Sequence, residues 1–173
     1  MNELTFRTLS IDLIDEIYHL ESISYPEDEA ASLQNIKLRL TNASNLFLGA
    51  FLKDQLIGFV NGTKTSSTTL THESMSTHEP NGETLCIHSV VIDPKYRRKG
   101  YGTLLTKKYI EHVKGENTLK RIRLLAKKNL IEFYKACGFD FYGNILFYFF
   151  NKFKGESSVV HGKEKWYDLG MSL

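Results

Sequence analysis

The residues of this chain best suited to chemistry lie between Cys86 and Gly102, in the run CIHSVVIDPKYRRKGYG. An apolar strand predicted over Thr84 to Ile92 leads into the turn Arg97-Arg98-Lys99-Gly100-Tyr101-Gly102 and then into a helix predicted over Gly102 to Val113. Successive backbone N–H groups at a helix start, where the peptide dipoles add positive potential, make a cradle for phosphate. Gly100 and Gly102 would allow positive φ and close approach of the backbone, and Arg97, Arg98 and Lys99 add charge. A diphosphate suits such a turn. It is neither a Walker loop nor the GxGxxG dinucleotide fingerprint, and by itself the pattern also fits a surface turn that opens a helix. His88 and Tyr134 have the right types for proton transfer. By periodicity alone, however, a lone His on an apolar strand and a Tyr in stripe with Leu130, Phe133 and Cys137 are core residues.

The elements that must position these groups alternate along the chain. Thr5 to Leu9 reads as a strand. Ile11 to Glu21 reads as a helix with Leu13, Ile17 and Leu20 at helical spacing, and Glu29 to Thr41 as another with Ala30, Leu33 and Leu40 on one side. Leu46 to Leu52 and Gln55 to Thr63 form a predicted hairpin around Lys53-Asp54. In the helix after the basic turn, Leu105, Tyr109 and Val113 recur every fourth residue. Arg121 to Ala126 is a buried strand, Leu130 to Cys137 a short helix, and Phe139 to Phe150 with Lys165 to Met171 close the sheet. The fold class is α/β, of the α+β mixed-sheet kind. Thr65 to Gly82 is polar, rich in Ser and Thr and aperiodic, a long loop that could cover a site or simply fill surface.

A length of 173 residues with 42% hydrophobic and 12% aromatic content suits one domain over 1–173. A net charge of +2 is too weak to imply nucleic-acid binding, although Lys95, Arg97, Arg98, Lys99, Lys107 and Lys108 concentrate charge near the turn. Lys107-Lys108 reads as a solvated helix face. No apolar run reaches the roughly 20 residues needed to cross a bilayer. The stretch MNELTFRTLS lacks the basic and apolar regions of a signal peptide, so the expectation is a cytoplasmic protein, with a monomer as the default. Cys86 and Cys137, neither in a CxxC pair, are expected as thiols. No metal is expected: His72-Glu73 would need a His at position 76 to complete HExxH, and Ser76 stands there.

In context, the Arg97-x-x-Gly100-x-Gly102 turn with its Val-Ile-Asp-Pro lead-in resembles the pyrophosphate-binding turn of the GNAT superfamily of acetyl-CoA-dependent N-acetyltransferases. A second element in the right order, Asn129-Leu130-Ile131-Glu132-Phe133-Tyr134-Lys135-Ala136-Cys137-Gly138-Phe139, is similar to that family's N…FYxxxGF helix and strand. The resemblance implies a strongly twisted, mostly antiparallel seven-stranded sheet flanked by about four helices. It implies acetyl-CoA held by Val90, Val91, Ile92, Arg97, Arg98, Lys99, Gly100, Tyr101, Gly102, Thr103, Asn129 and Tyr134. Asn129 fits an N-cap equally well.

Within the superfamily the chain is similar to the arylalkylamine N-acetyltransferase branch, and more narrowly to its fungal form, a polyamine or serotonin acetyltransferase. Glu21 to Ser32, ESISYPEDEAAS, resembles the helix-loop-helix that walls the amine pocket; Thr84 to Val91 resembles the catalytic strand and Lys165 to Leu169 the last strand. The vertebrate enzymes carry His-x-His on the catalytic strand, whereas here Cys86 takes the first place and His88 the second. Only the His88 half of a two-histidine relay carries over. The implied acceptor site comprises Glu21, Tyr25, Pro26, Glu27, Asp28, Cys86 and His88.

An alkylamine with a pKa near 10.4 is almost all ammonium at pH 7, and exposing its lone pair costs about 4.6 kcal/mol. His88 would take that proton, directly or through water, and Tyr134 would protonate the departing thiolate. A backbone N–H near Val90, at a bulge common in this fold, would polarise the thioester oxygen. Cys86, a buried thiol with no predicted cationic neighbour, should have a raised pKa and is not expected to be acylated. The acidic run Glu27-Asp28-Glu29 with Glu21 would attract a second ammonium of a polyamine, whereas the aromatics of Phe139 to Phe150 with Trp166-Tyr167 would line a slot for an aryl ring. Two other readings stay open: acetylation of protein lysines or N-termini, and a non-catalytic acyl-CoA-binding module that would need neither His88 nor Tyr134.

Overall fold

The computed structural model describes residues 4–144 and 165–173. Residues 145–150 of the predicted strand Phe139 to Phe150, with their aromatics, lie outside the described residues. Seven strands are described: β1 (Leu4–Thr8), β2 (Phe47–Leu52), β3 (Gln55–Thr65), β4 (Thr84–Ile92), β5 (Arg121–Lys127), β6 (Asp140–Asn144) and β7 (Trp166–Ser172). Four α-helices accompany them: α1 (Ile14–Ser24), α2 (Leu33–Asn42), α3 (Tyr101–Val113) and α4 (Ile131–Ala136). The sheet order is β1-β2-β3-β4-β5-β7-β6. Every neighbouring pair is antiparallel except β4 with β5. This is the expected mixed α/β architecture, with helices on both faces. Among the described residues no helix is long and apolar enough to cross a membrane.

Alternation along the strands feeds two cores. Leu48 and Ala50 of β2 pack with Leu105, Tyr109 and Val113 of α3 and with Tyr134 of α4 on one face. Phe47 and Phe51 pack with Ile17 and Leu20 of α1 and Ile36 and Leu40 of α2 on the other. The spacing of Leu105, Tyr109 and Val113 thus does what it predicts, and Tyr109 donates from its buried hydroxyl to Leu46 O at 2.9 Å. Lys107 and Lys108 are exposed, as expected of a solvated face.

Three local expectations are corrected. The helix predicted over Glu29 to Thr41 starts at Leu33, because Glu29 and Ala30 N–H both bond to Pro26 O in a turn and Ser32 Oγ caps the helix by accepting from Asn35 N at 3.2 Å. Leu33 is therefore exposed and Ile36 takes its place in the core. The segment Ile11–Leu13 is a 3-10 turn that leads into α1. Gly102 does not carry positive φ: it sits inside α3, while Gly100 (φ 81) and Arg98 (φ 62) take the left-handed conformations.

The polar segment after Thr65 is braced by its own hydroxyls. A 3-10 turn over Glu73–Met75 is closed by reciprocal bonds between Thr71 and Ser74 and tied back to β3 through Thr63, while the Lys64 N–H of β3 donates to His78 Nδ1 further along the segment. This order follows from the Ser and Thr content, since short hydroxyl side chains bond to nearby backbone.

Candidate active site

The parallel strands β4 and β5 pair only from Thr84↔Arg121 to Ile87↔Leu124. Beyond that point β4 continues with β3 and β5 with β7, so the two strands part. A cavity of about 210 Å³ opens in the gap, lined by His88, Ser89 and Val90 of β4 and by Leu125, Ala126 and Lys127 of β5. α1 contributes Glu21, its C-terminal flank Tyr25 and α2 Arg39; Leu70 and Met75 of the braced loop and Tyr134 of α4 complete the wall. The loop therefore contributes to the lining of the cavity.

A register shift between β3 and β4 pairs Asn61 with Ser89 and Gly62 with Ile87. His88 is the extra residue, one that the ladder does not use and the bulge turns toward the cavity. Its Nε2 lies 2.8 Å from Thr63 Oγ1. Val90 faces the gap with its backbone, and the Tyr25 hydroxyl meets both groups, donating to Val90 O at 3.2 Å and accepting from Val90 N–H at 3.3 Å. Burial pushes the Tyr25 phenol well up, helped by Tyr134 and Glu21 nearby. Burial also pushes Tyr134 above the ordinary tyrosine range. Tyr134 packs edge-on between Phe133 and Phe139.

Glu21 is 2% exposed. Its Oε1 accepts from Ala31 N–H at 2.9 Å and from Ser89 Oγ at 3.1 Å, while Oε2 is buried without a hydrogen-bond partner among the described residues. Desolvation raises its pKa; the two hydrogen bonds and the Arg39 charge pull the other way and lose. Arg39, lowered to about 10 by burial, remains a cation at neutral pH and donates to Met75 O and Asn61 Oδ1. Across the cavity, Lys127 pairs with Glu29 at 2.8 Å.

The structure brings Glu21, Tyr25, His88, Val90 and Tyr134 together and leaves other candidates apart. Glu27 and Asp28 are exposed and do not line the cavity, and Pro26 is spent in the turn that precedes α2. Cys86 is fully buried and does not line the cavity. Burial pushes its thiol up to about 12, as its place on a buried strand predicts, although Arg123, its register partner on β5, supplies the cationic neighbour that the sequence did not reveal. Val91 and Ile92 point into the two cores. Asn129 is exposed in a 3-10 turn and caps neither that turn nor α4, whose N-cap is Leu130. Arg39, Thr63 and Ser89 were not anticipated. Arg39 carries a signal, a charge one turn from Ile36 on the buried side of a helix.

The basic turn stands at the end of β4. Asp93 Oδ1 accepts from Lys95 N at 2.9 Å, Arg97 Nε donates to Ile92 O at 2.9 Å, and Lys99 Nζ lies 5.4 Å from the centroid of the Tyr96 ring. Gly100 is the N-cap of α3 and provides no side-chain cap, so the N–H groups of Tyr101, Gly102 and Thr103 point out of the helix start. A Cβ added to Gly100 would meet nothing within 4 Å among the described residues.

The sequence model of the acetyltransferase (GNAT) family matches residues 14–139. Serotonin N-acetyltransferase of Mesocricetus auratus is 31% identical over 111 residues, 64% of this chain and 54% of that protein. The human serotonin N-acetyltransferase is 27% identical over the same length. The matched region thus spans about half the length of these curated relatives. Among solved structures, the loading GNATL domain of CurA from Lyngbya majuscula superposes with a TM-score of 0.80 at 12% identity, covering 99% of this chain and 98% of that one. Arabidopsis thaliana Naa50, solved with the bisubstrate analogue CoA-Ac-MVNAL, gives 0.72 at 15% identity, covering 98% and 99%. With a sheet that splits at β4 and β5, the GNAT architecture over nearly its full length and a family match across 14–139, this chain belongs to the acetyltransferase (GNAT) family.

Proposed function

We propose that the protein is an acetyl-CoA-dependent N-acetyltransferase acting on the primary amine of a small amine, in the arylalkylamine branch and its fungal, polyamine- or serotonin-acetylating form. The observation that carries this reading is the gap between β4 and β5, with His88 on one wall and Tyr134 on another.

The residues at the end of β4 fit a CoA pyrophosphate. Three outward N–H groups at the start of α3, the open space over Gly100 and the charges of Arg97, Arg98 and Lys99 suit a doubly anionic group. Bound there, acetyl-CoA supplies a thioester acyl carbon to the cavity. The Val90 N–H, which donates to the Tyr25 hydroxyl at 3.3 Å, would polarise the acyl oxygen once that oxygen replaces the hydroxyl as its acceptor. His88 removes the proton from the acceptor ammonium, so that nitrogen attacks the acyl carbon as the C–S bond breaks. Tyr134, held protonated by its burial, gives its proton to the thiolate. The proton gained by His88 and the one lost by Tyr134 equalise through solvent, leaving an amide and a thiol. Cys86 takes no part, because a thiol with its pKa near 12 is not a nucleophile at neutral pH.

The test is an acceptor screen of purified protein with acetyl-CoA, reading free thiol across arylalkylamines, polyamines and peptides. Small amines are expected to outcompete peptides; a preference for peptides replaces the acceptor class with protein lysines or N-termini. His88→Gln and Tyr134→Phe should each lower kcat by about 10²–10⁴-fold with acetyl-CoA binding kept. Unchanged turnover in both would leave a site without the proposed acid and base, and binding with no turnover on any acceptor would leave an acyl-CoA-binding module.

A further inference from the structure

We infer that Thr63 is a positioning residue that fixes His88 in one tautomer, with the proton on Nε2 and the basic lone pair on Nδ1. The inference rests on the reading of His88 as the base.

Thr63 is fully buried on β3, and its Oγ1 touches two partners, Ser74 O at 2.5 Å and His88 Nε2 at 2.8 Å. A hydroxyl has one proton. Ser74 O is a carbonyl and accepts only, and two oxygens 2.5 Å apart without a proton between them would repel. The Thr63 proton therefore lies toward Ser74. What Oγ1 offers to His88 is a lone pair, so Nε2 must bring the N–H. In the neutral imidazole that leaves Nδ1 as the acceptor. Protonation of the ring then adds a proton at Nδ1 and keeps the bond to Thr63, so the ring stays in place through a catalytic cycle.

The carbonyl that sets this arrangement is itself held. Ser74 is 2% exposed, its amide and hydroxyl are tied to Thr71, and the next carbonyl, Met75 O, accepts from Arg39 Nε at 3.2 Å and Nη2 at 2.8 Å. The loop that helps line the cavity thus fixes the protonation geometry of the base. Val at position 63 keeps the shape of Thr and removes the hydroxyl; Ser keeps the hydroxyl.

The test uses the full chain with 15N-labelled histidine rings, read by long-range 1H–15N spectra above the titration range of His88, with His88→Gln identifying its signals. The expected wild-type pattern is a protonated Nε2 and an unprotonated Nδ1. In Thr63→Val the two ring nitrogens should move toward an averaged pattern, and kcat should fall by about 10-fold or more, within the about 10²–10⁴-fold that a general base contributes, with KM for acetyl-CoA unchanged. Thr63→Ser should restore both. A wild-type ring protonated at Nδ1 overturns the proposal even if a variant fails to fold. So does a Thr63→Val protein with unchanged spectrum and kcat. Full activity of His88→Gln overturns instead the role of His88 as base, and the spectrum of the resting protein distinguishes that failure from the other.

Discussion

Glu21 shows how one buried carboxyl is balanced. Two donors and a nearby guanidinium favour its ionised form, yet burial outweighs them and lifts its pKa above the ordinary 4.5. The folded state then holds the proton more tightly than the unfolded chain, so the stability this group contributes is full below about pH 4.5 and is lost as pH rises through its folded pKa. Glu21→Gln removes that loss. Its stability relative to the parent is expected to climb between pH 4 and pH 7, measured as the difference in urea midpoint; a difference that stays flat with pH would show that Glu21 is not desolvated in the way its burial indicates. Ser89 and Ala31, which hold Oε1, aim the carboxylate along the cavity wall rather than into solvent.

The bend before α3 makes two glycines behave in opposite ways. Gly100 sits at φ 81, where a side chain costs roughly 1–2 kcal/mol, and Ala there would project into open space above the helix start. Gly100→Ala should therefore lose about that much stability and weaken acetyl-CoA binding. Gly102 is helical, and its added Cβ would rest 3.5 Å from the Phe133 ring, an ordinary contact. Gly102→Ala should gain stability, by less than the roughly 0.5–1 kcal/mol of a mid-helix glycine because Gly102 lies in the first turn of α3. Urea unfolding gives both signs, and equal signs would refute the assigned backbone conformations. The late start of α2 has a different cause: Ser32 caps it, and the carboxylates of Glu27 and Asp28 lie in the preceding turn rather than at a helix start.

The sheet has to stay open between β4 and β5 while its far half stays together, and Arg123 with Asp168 does the second job. They bridge β5 and β7 with side chains only 12% and 8% exposed, and the Arg123 guanidinium also lies 4.5 Å from the centroid of the Tyr142 ring. Burial raises the Asp168 pKa while its partner lowers it. Asp168→Ala strands a buried guanidinium and should cost about 3–5 kcal/mol, read as a loss of unfolding free energy; a cost below about 1 kcal/mol would place the pair at the exposed surface. Loss of this pair loosens β7, which carries Trp166 to the cavity rim.

Local patterns were enough for much of this chain. The strand Thr84–Ile92 ends where the sequence says, α3 buries Leu105, Tyr109 and Val113, and the basic turn follows, because period and turn chemistry act over a few residues. His88, Tyr25, Glu21 and Tyr134 were named from the family resemblance rather than from local pattern, which by itself reads His88 and Tyr134 as core, and the structure places all four at the cavity. Arg39, Thr63 and Ser89 were not named, since each is a polar residue in a buried stretch whose meaning lies with partners 22 to 68 positions away, such as Asn61, His88 and Glu21. The parting of β4 from β5, the extra residue that turns His88 to the cavity and the direction of its proton all depend on contacts between distant strands and the loop. No run of neighbouring residues encodes them; they exist only once β3, β4, β5 and the Ser74 turn are packed together.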